Sequence, residues 1–351
     1  MWLVSARDWA RCGGATGRPR RRVAGVTAAA AGLVLVAGCH VLGTSSAAGP
    51  TGSGTVTVAA APGVGDAPIY IGIKNGLFRR AGINVHVVAF GSVSAEVAAL
   101  KAGKADVAFG DYADFFYAQQ MKPSPDLNIV ANGYDAAPGV MEVLTLPGSK
   151  ITSPAGLAGK TIGTARPQEL SYSTKRPYSE ETVATWSVLS SDNVEPTSIR
   201  WQTMPSSQLV TALQNHQVDA ILATEPTIYA AESQLGAVPV LDACTGATAN
   251  LPLDGYFSDA TYAKKNAANL AAFRAALLKA QGDAAMAAPV QSALQHYAGL
   301  QVETSSLVTL GSYPTALQAR DLQRVANIMF NFNAEPAGTG TLSVPSMVLH
   351  G

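Results

Sequence analysis

The chain has 351 residues, 48% hydrophobic and 14% charged, with 24 basic residues balanced by 24 acidic ones. That composition excludes a disordered chain and suits a globular protein long enough for a large core or two domains. The cysteines Cys12, Cys39 and Cys244 and the histidines His40, His86, His216, His296 and His350 fall at no metal-ligand spacing, so no metal site is expected, and no Ser-His-Asp, H-E-x-x-H or G-x-x-x-x-G-K pattern occurs.

In chain order, the first element is a leader. Arg18, Arg20, Arg21 and Arg22 precede the apolar run Val23 to Ala37. At about fifteen residues the run has the length of a secretory h-region and falls short of the roughly twenty that span a bilayer. Gly25 and Gly32 weaken it as a helix, and it has no polar face to make it amphipathic. Val36-Ala37-Gly38-Cys39 resembles a bacterial lipobox, which implies cleavage before Cys39 and acylation of its thiol. Residues 1–38 are therefore read as a lipoprotein signal peptide, with Cys39 as the lipid attachment site and the membrane as a partner. The leader holds six arginines and one aspartate, so the remaining chain carries 18 basic against 23 acidic residues. Such a chain has no basic stripe for nucleic acid. Cys244 is left with no disulfide partner and is read as a small residue packed in a turn.

Residues 39–55 include GTSSAAGPTGSGT and predict a flexible tether. Strand and helix signals then alternate: strand Val56 to Ala60, helix Ile69 to Asn75, strand Asn84 to Ala89, helix Ala95 to Ala102 and strand Val107 to Phe109. Further strands are predicted at Asn128 to Tyr134 and Val140 to Leu146, where Pro147-Gly148 breaks the chain. A second alternating set runs from Thr161 to Leu241, Tyr256 to Ser258 is one more strand, and helices follow at Ala267 to Ala285 and Ala316 to Phe330. The pattern predicts an α/β protein of two lobes, each a mainly parallel sheet flanked by helices. Residues 56–147 and 251–351 make the first lobe and 148–250 the second, with a ligand cleft between them.

Several motifs converge on one family. Asp66-Ala67-Pro68-Ile69-Tyr70, Ile73-Lys74-Asn75-Gly76-Leu77-Phe78 and Ala81-Gly82-Ile83-Asn84-Val85 resemble the opening of solute-binding proteins of the nitrate, sulfonate, taurine and thiamine-pyrimidine-precursor group. Ala99 to Ala108 (ALKAGKADVA) is similar to a second signature, and Ala212-Leu213 through Val218-Asp219-Ala220 repeats it, with Glu225-Pro226 beyond. The resemblance covers about Val56 to Asn331 and implies the two-lobed type II periplasmic-binding-protein fold. In each repeat a helix ends at a turn and feeds a buried strand, with Asp106 or Asp219 placed to accept free backbone N–H groups. Gly103 suits a left-handed helix terminus, whereas the second repeat has Asn215, His216 and Gln217 there.

In this fold the ligand meets loops that follow strands and open helices, where N–H groups are free. Four such places are expected: Gly65 to Tyr70, including Pro68 and Tyr70; Gly91-Ser92; Gly110-Asp111-Tyr112; and Thr164 to Thr174, including Arg166, Ser171 and Tyr172. Glu225 is a further candidate, as a contact to ligand or to the opposite lobe. Ser92 also reads as a helix cap, and Arg166, Lys175 and Arg176 also read as solvated charges.

The resemblance implies a monomeric lipoprotein that captures a small solute and delivers it to an ABC transporter permease, without catalysis or cofactor. A sulfonate, taurine or nitrate ligand calls for N–H groups, hydroxyls and Arg166. A pyrimidine-like heterocycle calls for stacking on Tyr70, Tyr112 or Tyr172 and for Asp111 or Glu225 at ring nitrogens. A biosynthetic enzyme on the same scaffold is the other alternative; relatives of that kind carry a cysteine-rich motif that this chain lacks, and they work inside the cell.

Overall fold

The computed structural model describes residues 52–90, 92–165 and 179–349. The leader, Cys39, Gly91, Arg166, Ser171 and Tyr172 lie outside them.

The first alternating set forms β1 (Gly54–Ala59), α1 (Ala67–Lys74), α2 (Leu77–Arg80), β2 (Ile83–Val88), α3 (Val93–Lys101), β3 (Val107–Asp111), α4 (Tyr112–Gln120) and β4 (Leu127–Asp135). The second forms β5 (Met141–Thr145), β6 (Thr161–Ala165), α5 (Glu180–Ser191), β7 (Arg200–Met204), α6 (Ser206–Gln214), β8 (Ala220–Thr224), α7 (Thr227–Leu235) and β9 (Val238–Asp242). The chain then returns through β10 (Pro252–Asp259) into α8 (Ala260–Lys265), α9 (Ala267–Ala284), α10 (Ala287–Tyr297), α11 (Val302–Leu307) and α12 (Ala319–Asn331).

The strands build two five-stranded sheets, ordered β2-β1-β3-β10-β4 and β7-β6-β8-β5-β9. Both are mixed, with two parallel and two antiparallel pairings where a mainly parallel sheet is expected, because one strand in each runs against its neighbours: β10 in the first and β5 in the second. These two strands arrive by the two crossings between sheets, and a chain entering from the other sheet needs no helical crossover and can pair antiparallel. One boundary differs from the sequence reading. The sequence pattern places the strand near Val140 to Leu146 in the first lobe, but β5 pairs with β8 and β9 in the second sheet. The crossing therefore lies between Asp135 and Met141, and Pro147-Gly148 only ends a strand. The predicted tether also ends early: Gly52 donates to the Ala81 carbonyl at 2.9 Å, and β1 begins at Gly54.

The two repeats behave alike at atomic detail. Asp106 Oδ2 accepts from the Thr57 N–H at 2.8 Å, and Asp219 Oδ2 accepts from the Thr161 N–H at 2.8 Å. Each carboxylate thus secures the strand that runs parallel beside its own, β1 beside β3 and β6 beside β8. Gly103 ends its helix at φ +66°, and His216 takes the same left-handed conformation at φ +54°. A Cβ at residue 103 would meet nothing within 4 Å, so only backbone preference distinguishes the two turns. A left-handed non-glycine residue costs about 1 kcal/mol. His216→Gly should therefore raise the thermal midpoint by about 2–4 °C, and Gly103→Ala should lower it by a similar amount. Calorimetry showing no change in either variant would rule this account out.

The core runs through both lobes. Phe115 stacks on Phe257 with centroids 4.1 Å apart, Tyr112 lies edge-on to Phe257 at 5.5 Å, and Phe78 stacks on Phe273 at 5.4 Å. The C-terminal helices cover what the sheets leave open: α9 lies along α1, and α12 packs on both α4 and α5. Cys244 is buried in a turn, its N–H donating to Asp242 Oδ1 at 2.8 Å.

Candidate functional site

A cavity of about 330 Å³ opens where the strand ends of the two sheets face each other. Its walls come from the segment after β1, the segment after β2, the junction of β3 and α4, the start of α5, the end of β8, and β10. Those are the strand-to-helix loops in which ligands of open α/β sheets bind.

Four of the sequence candidates, Ser92, Gly110, Asp111 and Glu225, line this cavity. Ser92 caps α3, its Oγ accepting from the Ala95 N–H at 3.1 Å. Asp111 caps α4, with Oδ1 accepting from Ala113 N–H at 2.6 Å and Asp114 N–H at 3.2 Å. Its Oδ2 reaches the other lobe and accepts from Glu180 N–H, the first residue of α5, at 2.8 Å. Glu180 answers across the same gap, Oε2 accepting from Ala113 N–H at 3.2 Å. Two helix N-termini from opposite lobes therefore meet, each holding the other's carboxylate, an arrangement that the helix dipole favours. Glu225 accepts from Tyr229 N–H at 3.1 Å and from Thr309 N–H at 2.9 Å, joining the end of β8 to the segment after α11.

Three candidates do not reach the cavity. Pro68 is buried in the first turn of α1, and Tyr70 stacks on Tyr297 with centroids 4.1 Å apart. Tyr112 is wholly buried, and its hydroxyl donates to Asn132 Oδ1 at 3.0 Å. Tyr70 and Tyr112, expected to stack on a ligand, are thus placed away from the cavity, turned back into the core. Tyr134 at the end of β4 is the tyrosine that lines the cavity among the described residues.

The sequence reading missed most of the carboxylates. Asp66, Glu96, Asp114 and Asp254 join Asp111 on the first lobe's side, and Glu181 joins Glu180 and Glu225 on the second lobe's side. Signals for four of them exist. Glu96 precedes the buried Ala99 and Leu100 by three and four residues, on their face of α3; Asp114 is the one acid in an aromatic-rich helix; and Glu180-Glu181 follow the capping Ser179. Asp254 carries no such signal, because its position depends on how β10 crosses the molecule. Its Oδ2 lies so close to the Gly65 backbone that a Cβ at residue 65 would come within 2.7 Å of it.

Burial raises the pKa of Asp66, Glu96, Asp111, Asp114, Glu180, Glu225 and Asp254. Burial lifts Asp66 to about 7, against a bond from Gly63 N–H that lowers it. Glu96 is pushed to about 8 by burial alone. Asp111 is raised to about 7 by burial and by the Glu181 charge, with the three N–H bonds opposing. Asp114, Glu180 and Asp254 stand well above the ordinary carboxylate range, first from burial and then from neighbouring acids. Apolar walls complete the site, notably Phe90, Val93, Phe109, Met141 and Leu253. No group of His, Cys, Asp and Glu among the described residues is arranged to hold a metal ion.

Residues 65–292 match the family model described as NMT1/THI5 like, about two thirds of the chain. The chain belongs to the NMT1/THI5-like family. The matched stretch begins at Gly65 on the cavity wall and takes in both sheets apart from β1. This NMT1/THI5-like chain shares its fold with the alkanesulfonate-binding protein SsuA from Xanthomonas axonopodis pv. citri, bound to MOPS, at 17% identity and TM-score 0.64, over 87% of this chain and 100% of that one. The periplasmic nitrate-binding protein NrtA from Synechocystis PCC 6803 is similar at 13% identity and TM-score 0.62, over 85% and 86% of the two chains. The desulfurization enzyme DSZB has 17% identity and TM-score 0.58, over 81% and 94%. No curated protein matches the sequence.

Proposed function

We propose that the chain is the solute-capturing component of an ABC importer, exported and held at the membrane by a lipid on Cys39. The observation that carries this reading is the cavity between two sheets of equivalent strand order, walled by both lobes and joined across by Asp111 and Glu180. Two lobes connected by two crossings can open and close on a solute. The structures named for sulfonate and nitrate binding support capture of a small solute. A lipid leash adds a reason for export, since it keeps a receptor at high effective concentration near its permease. A sulfonate, taurine or nitrate solute is the first reading of the ligand, and a pyrimidine-like heterocycle is the alternative.

The test has two arms. With the full-length chain, at least one of taurine, alkanesulfonates, nitrate or aminopyrimidines should raise the thermal midpoint, since a ligand at a hundredfold excess over Kd adds about 2.7 kcal/mol. Asp111→Ala should remove that response; a melt unmoved by every solute would sink the receptor reading. Separately, Cys39→Ser should shift the protein from the membrane to the soluble fraction, and continued membrane retention would refute the anchor.

A further inference from the structure

Assuming that the cleft is a receptor site, we infer that its solute carries a cationic nitrogen: a protonated amine or amidine whose N–H groups donate to the carboxylates of the cavity. Three observations point to this.

First, the eight acids named above line the cavity, and no Lys, Arg or His lines it among the described residues. Second, four of the helix N-terminal donors that would normally receive an anion are already used. Ala95 N–H donates to Ser92, Ala113 N–H to Asp111 and Glu180, and Asp114 and Glu180 N–H to Asp111. A sulfonate or nitrate approaching α3, α4 or α5 would have to displace the protein's own oxygen atoms from those N–H groups.

Third, the cavity presents acceptors that lack donors. Glu96 Oε2, Asp114 Oδ1 and Glu180 Oε1 accept no hydrogen bond from any described group, although their residues are only 6%, 7% and 2% exposed. Buried oxygens of this kind call for a partner, and one that brings both N–H donors and positive charge satisfies two needs together. These acids come from α3, α4 and α5 of both lobes, so a single cation between them would favour the closed arrangement over the open one.

An organic cation suits the site better than a metal ion. The acids surround the cavity without forming a metal-ligand group, and Phe90, Phe109 and Leu253 supply apolar wall for a carbon skeleton. Taurine meets the requirement through its ammonium group, whereas a simple alkanesulfonate does not.

Charge-matched probes test this on the full-length chain by calorimetric titration. Benzamidine, benzamide and benzenesulfonate share a ring and differ in charge, as taurine and ethanesulfonate differ by an ammonium group, and agmatine adds a flexible dication. At least one cationic or ammonium-bearing probe should bind ten times more tightly than its neutral or anionic partner. Glu96→Gln and Asp114→Asn should each weaken that probe tenfold or more. Glu96→Gln is the safer variant, because its Oε2 makes no bond in the fold. Benzenesulfonate or ethanesulfonate binding as tightly as its matched partner, with affinity unchanged in both variants, would overturn the inference and leave solute capture standing. Failure of every probe would also overturn it, while the receptor reading would be judged on its own wider panel.

Discussion

Raising the pH from 5 to 8 without added solute should destabilise this protein by several kcal/mol, against the common expectation that carboxylates favour neutral pH. The sign follows from the direction of the shifts. Asp66, Glu96 and Asp111 have folded-state values raised to about 7, 8 and 7. Between about pH 4 and those values the folded chain retains protons that the unfolded chain has lost. Their contribution to stability is therefore fully present below the unfolded values and lost as pH climbs through the folded ones. Each such carboxyl is worth about 1.4 kcal/mol per pH unit within its window, and hydration of the cavity reduces the total. A net loss of about 3–5 kcal/mol would lower the midpoint by about 10 °C in a chain of this size. Melts at each pH from 5 to 8 measure the slope, and Glu96→Gln, which stays neutral, should flatten it. A midpoint that rises over this range in the wild-type chain would contradict the electrostatic picture of the site.

Gly255→Ala should cost about 3 kcal/mol, and Gly255→Val should prevent folding. Gly255 sits in the middle of β10, and an added Cβ would fall inside van der Waals contact with Cζ and the hydroxyl oxygen of Tyr112. Tyr112 has nowhere to move. Its hydroxyl is bonded to Asn132, and its ring is held between Phe116 and Phe257, each at 5.5 Å. Backbone movement is equally restricted, because β10 is paired on both sides, with β3 and β4. Denaturant melts of Gly255→Ala in wild-type and Tyr112→Ala backgrounds measure the coupling. The loss should shrink by at least half when the ring is removed; an equal loss in both backgrounds would show that the strand, and not Tyr112, rejects the methyl group.

The two cases mark how much could be read in advance. Strand and helix order was legible because apolar runs such as Val56 to Ala60 and Val107 to Phe109 alternate with helical stretches. Asp106 and Asp219 were legible as strand-entrance residues because a local bond explains them. Helix α4 was not: Tyr112, Phe115, Phe116 and Tyr117 are aromatic residues that favour strands, and they form a helix because the Asp111 cap starts it and burial accepts every face. In the site, Ser92, Gly110 and Asp111 could be found because they sit where strands end, whereas Asp254 could not, because a distant segment brings it there.

The sequence by itself determined the alternation, the two repeats, the candidate leader and the positions of the strand-to-helix turns, since all depend on neighbours within a few residues. Tertiary structure alone decided which sheet takes β5, which side chains face the cavity, and that eight acids share it. Those outcomes depend on pairing and burial between residues as far apart as Asp111 and Glu180 or Gly65 and Asp254. Spacing along the chain carries no record of such contacts, because their energy is desolvation and fit rather than local propensity.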